Sequence, residues 1–380
     1  TMSRLLPLLC GLLLAACGQR AARPIGDFTL PVYTPRYASG FEITGAAGSR
    51  STLVTVHNPW YGDEVTDQYL FIARDGEPAP AGFEGQVLRD EARRVVCMSG
   101  SYIAMLDALG AADRVVGVSG AQYLINETLR RRIARGEAAD VGFDSNVDFE
   151  RLMALRPDLV MLFGIGGADT ALTGKLRELG IPYLYMGEHC EESPLGKSEW
   201  VVVAAEIAGL RTEGSRLFAA IPERYERLRA LAQQTAARPR VMLNTPYRDT
   251  WFMPARNSYM VRLLEDAGAR YVFEENTATQ TLPIDIEQAY YLTSKSDFWL
   301  NVSGCNTLDE VRRQNPRLAD TPPVREGRVY DNNRRRNAAG GSDFWESGVL
   351  RPDRVLADLV HIFHPELSET DELYYYRQLE

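Results

Sequence analysis

From Arg94 onward, short apolar runs alternate with amphipathic stretches of about ten residues. "RRVVCMS" is a compact apolar strand. "SYIAMLDALGA" carries apolar residues at three- and four-residue steps and is closed by Gly110, which predicts a helix. "RVVGVS", "DLVMLF" and "IPYLYMG" read as further strands, with "FERLMALRP" and "ALTGKLRELG" as the intervening helices. Such alternation predicts a parallel, doubly wound sheet. A helical tract then runs from about Gly196 to Ala237, with Leu217, Ile221, Tyr225, Leu228 and Leu231 on one stripe and Pro222 inside it. Beyond "ARP" the alternation restarts through "RVMLN", "SYMVRLLEDAGA", "RYVF", "IEQAYYL", "DFWLNV" and "RVYDN", and it closes with the helix "RPDRVLADLVHIFHPEL". The predicted fold is therefore α/β, with two doubly wound α/β lobes bridged by a single long α-helix. The first lobe is placed at 51–210, with two extra strands in 51–75 and a polar loop at 76–92. The linking helix takes 211–237, the second lobe 238–367, and 368–380 forms a tail.

One phrase occurs twice. "VDFERLMALRPDLVMLF" fills 147–163, and "IDIEQAYYLTSKSDFWL" fills 284–300 with two extra residues before its second Asp. Each opens apolar–Asp–apolar–Glu and passes through a helix into an Asp-led strand, so Glu150 and Glu287 hold matched positions.

The first residues follow another pattern. Arg4 precedes an apolar run from Leu5 to Ala16 that is too short for an ordinary spanning helix and reads as a secretory signal. Leu14-Ala15-Ala16-Cys17 resembles the bacterial lipobox. The expectation is a signal peptide at 1–16, lipidation of Cys17, a tether over 17–50, and a periplasmic protein anchored to a bacterial membrane. Cys97, Cys190 and Cys305 remain in the body without a CxxC pair, which supports neither a zinc ribbon nor a disulfide scaffold. The formal charge of -9, with no basic block beyond "NRRRN" at 333–337, argues against a nucleic-acid partner.

Order and spacing together resemble the substrate-binding proteins of bacterial ABC importers for iron chelates and cobalamin. The carriers are "RRVVCMSGSYIAMLDALGAADRVVGVS", "VDFERLMALRPDLVMLF", "LGKSEWVVVAAEIAG", the long helix, and "DFWESGVLRPDRVLADLVHIFHPEL". The likeness covers about 93–367 and leaves "NPWYG" outside. It implies a monomer without chemistry of its own or an intrinsic cofactor. It also implies a cleft between lobes, limited closure on binding, and a ligand that is a ferric siderophore, cobalamin or haem. In that family a surface Glu on each lobe docks on Arg residues of a two-fold permease dimer, and Glu150 and Glu287 match that pair.

Ligands of open α/β sheets bind beyond the carboxyl ends of the strands. In the first lobe those loops carry Tyr102, Tyr123, His189 and the glycines Gly164, Gly166 and Gly167. In the second they carry Tyr247, Arg248, Trp251, Arg256 and Tyr259, then Asn306, Arg334 and Trp345. Trp60 and Tyr61 are placed at the rim. Aromatic rings suit a large flat or amphipathic ligand, and Arg256 and Arg334 could neutralise an anionic chelate. His189 is the histidine to consider as an axial ligand of iron or cobalt. His361 and His364 share the closing helix, but no third metal ligand stands near them, so no metal site is assigned.

Three other readings compete. A zinc or manganese importer component would need three or four buried ligands, and the chain has four His. A surface lipoprotein could capture cobalamin or haem without transport. A dinucleotide enzyme would use "FGIGGADT", but Asp169 replaces the third Gly and would repel a phosphate.

Overall fold

The computed structural model describes residues 21–380 except 62–64, 165, 249 and 369. The signal peptide and Cys17 lie outside the described residues. Five strands come first: β1 (Leu30–Tyr33), β2 (Phe41–Gly45), β3 (Thr52–Val56), β4 (Gln68–Ala73) and β5 (Gln86–Arg89). They form one sheet in chain order, antiparallel except for the β4–β5 pair. Two corrections follow. Leu30–Tyr33 and Phe41–Gly45 are strands rather than parts of a tether, and the loop 76–92 contains the strand Gln86–Arg89.

Period-two alternation explains this sheet. Phe41, Ile43, Val54, Val56, Leu70 and Ile72 face the main core with Trp200 and Val201–Val203. Leu53, Phe71 and Ala73 face the opposite way onto Phe28 and Ala46. Buried carboxylates fasten the sheet to the helices beneath it. Glu199 accepts the backbone N–H groups of Arg36, Tyr37 and Ala38 at 2.7–2.8 Å and the Tyr33 hydroxyl at 2.7 Å. Glu191 accepts from the N–H of Ser39 and Gly40 and from Trp200 Nε1 at 2.9–3.0 Å. Glu206 binds Thr52 Oγ1, Arg74 and Arg211 at 2.7–3.0 Å. A buried charge is tolerated when several donors satisfy it.

The first lobe contains β6 (Val95–Cys97), β7 (Val115–Val118), β8 (Ala139–Asp140), β9 (Leu159–Phe163) and β10 (Tyr183–Met186). They lie in the order β10-β9-β6-β7-β8, all parallel. The second lobe adds β11 (Arg240–Leu243), β12 (Pro246–Tyr247), β13 (Thr250–Met253), β14 (Arg270–Tyr271), β15 (Leu282–Ile284), β16 (Phe298–Leu300), β17 (Val329–Asp331) and β18 (Arg377–Gln378). Its main sheet runs β14-β11-β16-β17-β18, with only β18 antiparallel, and β12-β13-β15 form a small antiparallel sheet. Because β18 pairs with β17 and Tyr375 and Tyr376 are buried, the C-terminal tail is part of the fold.

The connecting helix spans Arg211–Ala232, about 33 Å at 1.5 Å per residue. Gly214, Phe218, Ile221, Tyr225, Leu228 and Ala232 form its buried stripe.

The repeated phrase folds the same way twice. Asp148 and Asp285 cap helices Phe149–Leu155 and Ile286–Ser294, accepting from Arg151 N–H at 2.9 Å and Gln288 N–H at 2.7 Å. The helices have seven and nine residues, so the second copy's two extra residues lengthen its helix. Asp158 then accepts the N–H groups of Arg93 and Arg94, and Asp297 accepts that of Arg240. In each lobe the closing Asp thus pins the chain at the entry to the first strand.

Candidate functional site

The lobes meet through loops at the carboxyl ends of their strands. After β7, the N–H groups of Ile125 and Asn126 donate to Glu346, which follows β17, at 2.7 and 2.9 Å. Asn337 Nδ2 donates to the carbonyls of Gln122 and Leu124 at 2.9 and 3.1 Å. A Cβ on Gly341 would stand 1.7 Å from the Tyr123 carbonyl oxygen, so only glycine permits this approach. Beyond β10, Asn257 Nδ2 donates to Glu192, and the Lys197 ammonium lies 4.3 Å from the Tyr259 ring centroid. In both sheets the strands where the winding reverses, β6/β9 and β11/β16, lie between these contacting rims. That is where a doubly wound sheet presents its ligand site.

On the first lobe the wall is built by Tyr61, Phe163 and His189. The Tyr61 hydroxyl donates to the His189 carbonyl at 2.6 Å, and the His189 ring centroid lies 5.6 Å from that of Tyr61 and 4.3 Å from that of Phe163. Burial, with the nearby Cys190 and Glu188, pushes the Tyr61 hydroxyl up to about 12. His189 Nε2 stands 2.7 Å from the Gly164 carbonyl oxygen. A carbonyl only accepts, so Nε2 carries a hydrogen. Nδ1 is buried without a partner, 3.9 Å from Glu188 Oε2, which has none either. Burial opposes a charged ring, but the neighbouring Cys190 and Glu188 favour it and raise His189 to about 9.

On the second lobe, strand alternation divides the candidates. Trp251 points inward, stacks on Trp299 at 5.6 Å between ring centroids and donates from Nε1 to the Leu243 carbonyl. Its neighbour Phe252 points outward and is 40% exposed. Tyr247 pairs with Thr250 across the hairpin, so it shares the outer face with Phe252 and is 67% exposed. Trp299 Nε1 donates to the Asn244 carbonyl, which ties the hairpin base to the main sheet.

The expected ligand residues therefore separate. Tyr61, Tyr123, Tyr247 and Trp345 present exposed rings. Tyr259 is partly buried beneath Lys197. Trp60, Tyr102 and Trp251 are core: Trp60 packs edge-on against Tyr185, and the Tyr102 hydroxyl donates to the Leu162 carbonyl. The two expected anion-binding arginines are already paired, Arg256 with Glu265 and Arg334 with Glu372. Arg248 instead lies 5.4 Å from the Tyr247 ring centroid, and no ion pair among the described residues includes it. His361 bonds Ser368 and the Thr370 carbonyl, while buried His364 bonds the Gly268 carbonyl, so they form no metal pair. Asp169 pairs with Arg177 at 2.8 Å.

Sequence reasoning missed Phe252, Lys197 and Glu346. Phe252 was legible in "TWFM", where alternation around an inward Trp sends the next residue out. Glu346 was not, because its partners are more than 200 positions away.

Glu150 and Glu287 are both exposed in the first turn of their helices, and Glu287 contacts Arg317 at 2.9 Å. A cavity of about 400 Å³ lies between the connecting helix and the segment after β10, lined by Tyr225 and Arg229 of the helix, by Glu191 and Glu192, and by Arg262 and Asp266.

Comparison with known proteins agrees with this architecture. A family model described as periplasmic binding protein matches residues 95–334, from the first strand of the first lobe into the loop after β17. An uncharacterized lipoprotein of Methanocaldococcus jannaschii is 25% identical over 332 residues, covering 81% of this chain and 77% of its own. A periplasmic heme-binding protein from Pseudomonas aeruginosa superimposes with a TM-score of 0.58 at 20% identity, covering 76% of this chain and 98% of its own. An ABC-type Fe3+-hydroxamate transport protein from Saccharomonospora viridis gives 0.54 at 17% identity over 72% of this chain and 94% of its own. With its matched range spanning more than half of its length, the chain belongs to the periplasmic binding protein family, a family of solute-binding proteins rather than enzymes.

Proposed function

We propose that this protein captures a metal chelate outside the cytoplasm, in the cleft between its lobes, and delivers it to an ABC permease. The candidate cargoes are a ferric siderophore, cobalamin or haem. The observation that carries the reading is the pair of strand-end walls with exposed aromatic rings, Tyr61 and Tyr123 on one lobe and Tyr247 and Trp345 on the other. Rings of this kind supply large contact area at little entropic cost. Glu150 and Glu287, alike in position and exposure, would dock on the two halves of a two-fold permease through carboxylate–guanidinium pairs. Cys17 would carry the lipid anchor.

The test is thermal stabilisation of the purified protein by ferric siderophores, cyanocobalamin, haemin, Zn²⁺ and Mn²⁺. A ligand that binds only the folded state raises the melting temperature, by about 2.7 kcal/mol of stability at one hundred times its Kd. A shift with an iron or cobalt complex supports the reading. A shift with bare Zn²⁺ or Mn²⁺ alone moves the protein to metal-ion capture.

A further inference from the structure

The second lobe carries a feature that the chelate reading leaves unassigned. Asn244 at the end of β11, Asn301 at the end of β16, and Arg248 at the hairpin tip all have positive φ, at 67°, 61° and 56°. Left-handed backbone at non-glycine residues persists only where the surroundings impose it, and such residues cluster at binding sites. Here the surroundings are identifiable. Trp251 and Trp299 stack beneath the hairpin, their indole N–H groups hold the carbonyls of Leu243 and Asn244, and Asn244 Nδ2 donates to the Phe252 carbonyl. The Tyr376 hydroxyl donates to Asn301 Oδ1 at 3.0 Å. This rigid base presents Tyr247 and Phe252 on one outer face, at diagonal positions about 7–8 Å apart. Arg248 stands at the edge of that face.

We propose that this hairpin is the ligand platform, and that it selects a planar, conjugated ligand bearing a carboxylate. The flat face lies over Tyr247 and Phe252, and the carboxylate pairs with the Arg248 guanidinium. Rings and guanidinium match such a molecule in shape and charge. A neutral chelate without a flat face would use neither. The inference rests on the chelate-binding reading and narrows it.

The experiment uses the purified full chain and four probes: haemin, haemin dimethyl ester, a neutral ferric trihydroxamate and cyanocobalamin. Binding is followed by tryptophan quenching and by melting temperature. Haemin is expected to bind most tightly. Arg248→Ala should weaken it about tenfold, as expected for losing a hydrogen bond to a charged group. Esterification should weaken it similarly, and the two changes together should cost no more than either alone. Replacing both Tyr247 and Phe252 by Ala should weaken haemin and its ester alike. Because the three side chains are exposed, the variants should melt with the parent, which separates lost binding from lost fold. If the parent binds the trihydroxamate or cyanocobalamin but not haemin, the platform assignment falls and the chelate reading stands. Haemin binding that is unaffected by either variant also overturns the platform. If no chelate binds the parent, both readings fail together.

Discussion

The two lobes begin from one phrase and end with different surfaces. In each, an Asp caps the helix, a Glu sits exposed in its first turn, and a second Asp pins the entry to the lobe's first strand. The strand ends then diverge. On the first lobe, Tyr61, which comes from the N-terminal sheet's side of the chain, bonds to the His189 carbonyl, with Glu188 buried and His189 half-buried behind it. On the second, β12 and β13 are anchored from beneath by Trp251 and Trp299 and display the rings of Tyr247 and Phe252 outward. The lesson is that a duplicated core fixes where strand ends lie, while loops and added segments decide what those ends can touch.

That comparison can be broken at its strongest attachment first. Glu199→Ala removes the buried acceptor for three backbone N–H groups and the Tyr33 hydroxyl, so stability should fall by more than about 3 kcal/mol. Denaturant melts would measure this, and limited proteolysis should cut first within 21–90. Retention of parental stability would mean that the first lobe does not depend on its added sheet.

The repeat itself is tested by paired substitutions. Asp158→Ala loses two backbone acceptor contacts and Asp297→Ala loses one. The expected costs are about 2 and about 1 kcal/mol. Equal costs would show that the number of backbone contacts does not set the strength of each pin.

The inter-lobe contact has a pH signature. Burial, offset in part by the Ile125 and Asn126 N–H groups, pushes Glu346 up from 4.5 to about 7. The folded state then binds this proton more tightly than the unfolded state. Between about pH 4.5 and 7, Glu346 makes stability fall as pH rises. Glu346→Gln should remove that part of the slope in melts taken from pH 4.5 to 8, and an unchanged slope would assign it to another group.

The smallest effect on stability belongs to the matched pair. Glu150→Ala and Glu287→Ala should each change stability by less than about 0.5 kcal/mol, because both are exposed. Ligand binding should persist while uptake in cells is lost. Normal uptake by the double variant would remove the docking role.

The main sheets of both lobes were largely legible in sequence, and the N-terminal sheet was legible only in part. "DLVMLF" and "DFWLNV" are short apolar runs whose local composition is enough to call them strands. Leu30–Tyr33 and Phe41–Gly45 lie in a Gly- and Ala-rich stretch, and their pairing partners come later in the chain. The signal that could have exposed them is Glu199 and Glu206 flanking "WVVVAAE", charges in an otherwise apolar helix that must have partners. The arginines failed for a related reason. Arg256 and Arg334 looked available because Glu265 and Glu372, nine and 38 residues further on, gave no local sign of pairing.

What the sequence determined by itself is whatever follows from neighbours along the chain. Hydrophobic period set the alternation of strand and helix, the spacing of Asp and Glu set two capped helices, and the repeat set two lobes. What the tertiary structure decided is which polar groups remain free. Whether Arg256 is paired, which carbonyl His189 bonds, and whether Glu346 joins the lobes depend on partners brought close only by folding. Charge and hydrogen-bond satisfaction act through space over a few ångströms, and distance along the chain does not record that proximity.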